Sequence, residues 1–241
     1  PDTIQAFRTL QQAKHTGKIV LTQRVTAPNQ SVHFQTDGTY LVTGGLGGLG
    51  LVIAQWMADQ GAKNISLLSR QKPNSQAQFV VEKLQENGVT VDVISADITD
   101  KTAVTAVITN INQSQNPLKG VIHAAGVLDD SLIQQTTWEK FERVLSPKVT
   151  GAWNLHTLTE TCELDFFILF SSAAALLGSP GQANHATANA FLDGLARYRH
   201  QLGLPALSLN WGAWSSVGSA LKYQQQGTLE HFPGVDTISP E

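Results

Sequence analysis

Thr39-Tyr40-Leu41-Val42-Thr43-Gly44-Gly45-Leu46-Gly47-Gly48-Leu49-Gly50 is the stretch on which the sequence turns. Residues Thr39–Thr43 read as a short strand, the glycine run follows at once, and Gly48–Gln60 continues with apolar residues at helical spacing. A strand that passes through glycines into a helix is the setting of a dinucleotide-binding turn. Glycine permits the tight turn and lets the backbone approach a pyrophosphate, whose charge then rests against N–H groups at the helix N-terminus. Thr43, Gly44, Gly45, Leu46, Gly47, Gly48, Leu49 and Gly50 are therefore candidate cofactor contacts.

Beyond this turn the chain alternates short apolar runs with amphipathic stretches. Strands are expected at Thr39–Thr43, Asn64–Leu68, Val89–Ile94, Lys119–His123, Asp165–Phe170 and Ala206–Asn210. Helices are expected at Gly48–Gln60, Ser75–Asn87, Lys101–Ser114, Trp138–Thr161 and Gln182–Gln201. Such alternation implies an α/β fold, a doubly wound parallel sheet with helices on both faces, Rossmann-like, in which ligands bind beyond the carboxyl ends of the strands. Upstream, Ile4, Phe7, Leu10 and Ala13 give Thr3–His15 a helical period, Gly17 breaks it, Lys18–Thr22 reads as a strand, and Arg24–Gly38 is a polar connector. A domain boundary is expected between residues 38 and 39.

Composition narrows the partners. With 241 residues, 41% hydrophobic and 15% charged, the chain can bury one substantial core. A net charge of -3 without any Lys or Arg cluster leaves no electrostatic footprint for nucleic acid or an anionic membrane. Cys162 is the single cysteine, which excludes an internal disulfide or a multi-cysteine metal site and suits a reducing compartment, the cytoplasm. No run approaches the roughly 20 apolar residues of a membrane span. The start, Pro1-Asp2-Thr3-Ile4-Gln5, shows neither a signal-peptide pattern nor a Met, and reads as a piece of a longer chain.

The second strand ends in Leu67-Leu68-Ser69-Arg70, where an adenosine ribose would lie. An acidic residue there favours a free 2′-hydroxyl; Ser69 and Arg70 instead suit a 2′-phosphate, so NADPH is expected over NADH. After the third strand, Asp97 and Ile98 either face the adenine or, in the case of Asp97, cap the following helix.

The chain resembles the ketoreductase domains of modular polyketide synthases, members of the short-chain dehydrogenase/reductase superfamily. The resemblance runs from about Thr39 to Val217. Besides the glycine turn it rests on His123-Ala124-Ala125-Gly126, Leu128-Asp129-Asp130, Pro147-Lys148-Val149, Phe170-Ser171-Ser172, Gly181-Gln182-Ala183-Asn184, Ala188-Asn189-Ala190-Phe191-Leu192-Asp193 and Asn210-Trp211-Gly212-Ala213-Trp214. It implies that Ala124, Ala125, Gly126 and Lys148 join the cofactor contacts, and that Lys148, Ser172, His185 and Asn189 occupy the catalytic positions. The family's tyrosine is absent; His185 stands in its place, thirteen residues after Ser172 and four before Asn189.

Reduction of a ketone places negative charge on oxygen, which needs a hydrogen-bond donor and then a proton. The resemblance assigns Ser172 to the ketone oxygen, Lys148 to positive charge and the cofactor ribose, and Asn189 to a water or to Lys148 itself. Two readings of His185 stand side by side. Either its imidazolium is the acid, against the downward pull of the Lys148 ammonium on a reference pKa near ~6.5, or the domain binds cofactor without reducing.

The resemblance carries further implications. Leu128-Asp129-Asp130 marks the B-type class, giving a D-configured 3-hydroxyl, while Leu177 stands where the opposite class has tryptophan and Thr187 where epimerising members have proline. Asp129 and Asp130 also read as helix-capping carboxylates ahead of Ser131, a role compatible with the steric one. The opening segment Ala6-Phe7-Arg8 to Val20-Leu21 resembles the tail of an enoylreductase domain, as in fully reducing modules. An upstream structural ketoreductase subdomain is implied but not present in this sequence. Gly218–Glu241 corresponds to a substrate lid, His231 and Trp211 are assigned to packing or solvent, and the substrate is expected on the phosphopantetheine arm of an acyl carrier protein.

Overall fold

A computed structural model describes residues 7–9, 11–12, 33–215 and 237–239. The chain divides into two units, Pro1–Val32 and His33–Glu241. In the first, residues 7–9 and 11 are helical. The rest of the expected Thr3–His15 helix, the Lys18–Thr22 strand, His231 and most of the Gly218–Glu241 segment lie outside the described residues.

The described residues of the second unit form six strands: β1 (Thr39–Thr43), β2 (Asn64–Ser69), β3 (Thr90–Ser95), β4 (Leu118–His123), β5 (Phe166–Ser172) and β6 (Leu207–Trp211). Its helices are α1 (Gly48–Asp59), α2 (Ser75–Glu86), α3 (Lys101–Gln113), α4 (Trp138–Thr159), α5 (Ala174–Leu177) and α6 (Ala183–Gln201), with a 3-10 turn at Ile133–Gln135. Every strand pair is parallel, in the order β3-β2-β1-β4-β5-β6. The order reverses between β1 and β4, the switch point at which a crevice opens beyond the strand ends.

Side chains alternate across the sheet as the two-residue period demands. Tyr40, Val42, Ile65 and Leu67 enter a core with Leu51, Met57 and Leu84 from α1 and α2. Leu41, Leu68, Val121, Phe167 and Leu169 enter a second core with Val104, Ile108, Leu155 and Leu192 from α3, α4 and α6. β1 is buried along its whole length, as expected of a central strand with both faces covered. Local caps start the helices: Asn74 accepts from the Ala77 N–H at 2.8 Å, and Asp100 from those of Thr102 and Ala103 at 2.9 and 3.1 Å.

From Thr39 onward the expected strands and helices are present, with ends shifted by at most two residues. β5 continues through Ser171 and Ser172 because these pair with Asn210 and Trp211 of β6. The 3-10 turn and the four-residue α5 are additions to the expected elements, being too short to show a period. Trp211 packs edge-on to Phe170 at 5.5 Å between ring centroids and against Trp214 at 4.9 Å, consistent with its assignment to packing. Ile238 returns to β6's end, donating to the Ala213 carbonyl at 2.8 Å. Among the described residues no helix is long and apolar enough to cross a membrane, and no group of three or more His, Cys, Asp or Glu could hold a metal ion.

Gly120 of β4 lies opposite Phe166 of β5, whose ring stacks on Tyr40 at 5.5 Å. A Cβ at Gly120 would overlap that ring. Gly120→Ala is expected to cost about 1–3 kcal/mol through overpacking, read as a lower urea midpoint, and Phe166→Leu added to it should recover part of the loss. An unchanged midpoint in Gly120→Ala would refute the packing argument.

Candidate active site

The glycine turn sits at the carboxyl end of β1. Gly44 has a φ of 68°, and a Cβ there would come within 2.9 Å of the Ala125 backbone. A Cβ at Gly50 would overlap the Gly44 carbonyl oxygen. Both positions therefore demand glycine, one for conformation and for space, the other for space alone. Gly47 precedes α1 and supplies no side-chain cap, so the first N–H groups of α1 have no side-chain acceptor at this end. That combination of close backbone approach and free helix N–H groups fits a pyrophosphate. Leu46 packs on the first core, and Leu49 is half-buried.

Along the sheet edge, Ser69 closes β2 and accepts from the Gln71 N–H at 3.3 Å, while Arg70 is exposed. Burial works to raise the Asp97 carboxyl, but bonds from the Thr99 N–H and hydroxyl, with the Arg70 charge, hold it below its ordinary value. Asp97 does not cap α3; Asp100 does, because Asp97 folds onto Thr99 two residues on. Ile98 is buried, and Asn154 of α4 donates to the Ile98 and Thr99 carbonyls at 3.1 and 3.2 Å, pinning this loop to the domain. After β4, the Ala124 N–H donates to the Thr43 carbonyl at 3.1 Å, and Gly126 lies against the Lys148 stem, where a Cβ would meet Cε at 3.0 Å.

Lys148 follows Pro147 inside α4, is 6% exposed, and donates from Nζ to the Phe170 carbonyl at 2.8 Å. Its ammonium is thus set two residues short of Ser172, at the end of β5. Burial lowers its pKa to about 8, with Asp193 opposing the shift. Ser172 Oγ accepts from the Ala174 N–H at 3.2 Å. His185, in the first turn of α6, has a buried Nδ1 with no hydrogen-bond partner, and burial followed by the Lys148 charge lowers its pKa to about 4. Asn189, one turn on and fully buried, donates to the His185 carbonyl at 2.8 Å and keeps a buried Oδ1 without a partner. The four positions thus come from three elements, α4, β5 and α6.

Leu128-Asp129-Asp130 forms a loop laced to the segment that leads into His185. Asn184 Nδ2 donates to the Asp129 carbonyl at 2.8 Å, Gln182 Nε2 to Asp130 Oδ2 at 2.8 Å, and the Ser131 N–H to the Gly181 carbonyl at 2.9 Å. Arg143 Nη1 meets Asp129 Oδ2 at 2.7 Å, and Leu128 is half-buried. The capping alternative is not what these carboxylates do: the following 3-10 turn starts after Leu132 with no side-chain cap. Two further groups carry no sequence-level role. His123, fully buried at the end of β4, shares a 2.7 Å hydrogen bond between Nδ1 and Thr43 Oγ1; Asp193 lies on α6, four residues after Asn189. Both belong to motifs that carry the family resemblance, and Asp193 in addition shares the helical spacing of His185 and Asn189.

The sheet order and the glycine turn at its switch point define a doubly wound α/β domain of Rossmann type. Residues 38–216 match the family model described as KR domain, and the chain belongs to this family. It is 41% identical over 243 residues to a mycocerosic acid synthase-like polyketide synthase of Mycobacterium tuberculosis, covering 98% of this chain and 11% of that one. It is 43% identical over 242 residues to a hybrid PKS-NRPS synthetase of Aspergillus violaceofuscus, covering 96% and 6%. Among solved structures it matches an A1-type ketoreductase with a TM-score of 0.82 and A-type ketoreductases from a modular polyketide synthase with 0.81. Both are 37% identical and are matched over 89% of this chain and 45% of theirs. The chain thus spans a small part of the synthases and under half of the solved ketoreductase chains.

The histidines couple this site to stability. Burial, then the Lys148 charge, lowers the His123 pKa to about 3, with the Pro147 carbonyl pulling the other way, and His185 stands at about 4. Their unfolded value is near ~6.5, so below it the unfolded chain binds more protons than the folded one. Stability should be fully present above about pH 6.5 and decline as pH falls toward the folded values. Urea midpoints at successive pH values between neutral and acidic check this, and His185→Gln should flatten part of the slope; a pH-independent midpoint would contradict it.

Proposed function

We propose that this chain is the NADPH-dependent ketoreductase of a reducing polyketide synthase module. It converts a 3-ketoacyl thioester on the phosphopantetheine arm of an acyl carrier protein into a 3-hydroxyacyl thioester. The observation that carries this reading is the buried Lys148 ammonium held on the Phe170 carbonyl, between the Gly126 backbone and the end of β5 that carries Ser172. In this reading Gly44 to Gly50 and the N-terminus of α1 hold the pyrophosphate, Ser69 and Arg70 the 2′-phosphate, and Asp97, Ile98 and Ala124–Gly126 the remaining edge. NADPH held there supplies the hydride.

Ser172 donates a hydrogen bond to the ketone oxygen, strengthening as charge develops on it. His185 is neutral near pH 7, because its pKa lies about 4. It presents one ring N–H to the same oxygen but carries no ionic proton to give. Lys148, with a pKa of about 8, remains protonated near pH 7 and is the proton reservoir. The partnerless Oδ1 of Asn189 is the acceptor available to order a water on this route. Leu128, Asp129 and Asp130 set the face of approach, and the motif supports the B-type, D-hydroxy outcome; the A-type descriptions belong to the matched structures. Residues 1–38 are the enoylreductase-like tail and linker, and 39–241 the catalytic domain with its lid. The upstream structural subdomain, an enoylreductase, and the carrier protein are the partners, in the cytoplasm.

A second reading has its own support. A neutral His185 in the tyrosine position suits a domain that binds NADPH without reducing. Turnover of NADPH with a 3-ketoacyl thioester surrogate separates the two. For the reductase, wild type turns over, activity falls as pH rises through about 8 with loss of the Lys148 proton, and His185→Ala loses about 10²-fold or more. Tight NADPH binding without wild-type turnover, with activity appearing in His185→Tyr, would establish the scaffold. A rate confined to pH below about 4 would instead return the acid role to the His185 imidazolium.

A further inference from the structure

Among the described residues Lys148 has no direct negative partner. Its one hydrogen bond goes to a neutral carbonyl, and among the described residues no carboxylate forms an ion pair with it. The titratable groups that act on it come from two elements besides its own. His123 from β4 and His185 from α6 are both neutral near pH 7, which leaves Asp193 of α6 as the negative charge. A buried cation without such a charge is costly to keep.

Asp193 is also held in place. Its Oδ1 accepts from the Ser208 hydroxyl and its Oδ2 from Asn210 Nδ2 at 2.9 Å, both on β6. The same Asn210 amide reaches Ser171 Oγ and the Ser172 carbonyl, each at 3.2 Å. Ser171 Oγ in turn donates to the Asn189 carbonyl at 3.2 Å. A continuous hydrogen-bonded chain thus runs from Asp193 through β6 to the strand end bearing Ser172 and to the helix turn bearing Asn189.

We propose that Asp193 is a positioning residue of this site: through Ser208 and Asn210 it locks α6 to the ends of β5 and β6, and its carboxylate is the counter-charge of the Lys148 ammonium. The kinetic part of this role rests on the reductase reading; the electrostatic part does not. Asp193→Asn keeps the shape, one acceptor oxygen for Asn210 and an amide N–H that can donate to the Ser208 hydroxyl, but removes the charge. Asn210→Ala breaks the chain and keeps the charge.

The test is an NMR titration of Lys148 in 13C-lysine-labelled protein, assigned with Lys148→Arg, beside the pH profile of turnover. Asp193→Asn should lower the Lys148 midpoint by roughly 1 pH unit, the lower end of what a close opposite charge supports. The alkaline limb of kcat should move with it. Asn210→Ala should lower kcat while leaving the midpoint in place. If Asp193→Asn leaves the midpoint unmoved, the proposal is overturned whether or not any variant turns over. If the midpoint shifts while wild type shows no turnover, the counter-charge stands and the reductase reading falls. Thermal melts of Asp193→Asn, Lys148→Met and the pair give a second reading. The pair should melt higher than additivity allows, because no unpaired ammonium remains, and should fold even if Asp193→Asn does not; strict additivity or failure of the pair to fold would overturn the proposal.

Discussion

Keeping an ammonium group out of water is the constraint around which this domain's working end is arranged. Lys148 reaches the Phe170 carbonyl from the middle of α4, and that contact needs α4 seated on the second core and β5 ended at the right residue. Gly126 leaves room for the lysine stem. Burial first, and the same charge second, keeps His123 and His185 neutral near pH 7.

The fold was legible because the sheet is parallel and covered on both faces. Such strands read as unbroken apolar runs, and helices between them must show one apolar stripe, so Thr39–Thr43 and Trp138 onward declare themselves without tertiary information. Where the signal is local and short it fails. α5 is four residues long, and the end of β5 is polar because its pairing partner, not its hydrophobicity, makes it a strand. The capping readings of Asp97, Asp129 and Asp130 failed for a related reason: sequence shows that a carboxylate precedes a turn, but not whether Thr99, Arg143 or Gln182 reaches it first.

The site was legible in its residue types and spacing and illegible in its electrostatics. Lys148, Ser172, His185 and Asn189 could be picked out along the chain. Nothing in their spacing shows that the Asn189 Oδ1 and the His185 Nδ1 would be buried without partners, or that His123 would hydrogen-bond to Thr43. Those facts depend on which elements close over the site. The same closure buries the His185 ring beside the Lys148 charge and brings its pKa down to about 4.

The position of β6 at the sheet edge also keeps two parts of the domain apart. The glycine turn needs only β1, β2 and the start of α1, with Ala125 closing it from the end of β4. Ser208 and Asn210 belong to the last strand of the sheet, which pairs with β5 alone. A change that loosens β6 therefore reaches the end of β5 and the start of α6 through Asn210 and Ser171 while leaving the glycine turn on its own strands, so the two halves of the domain can fail separately.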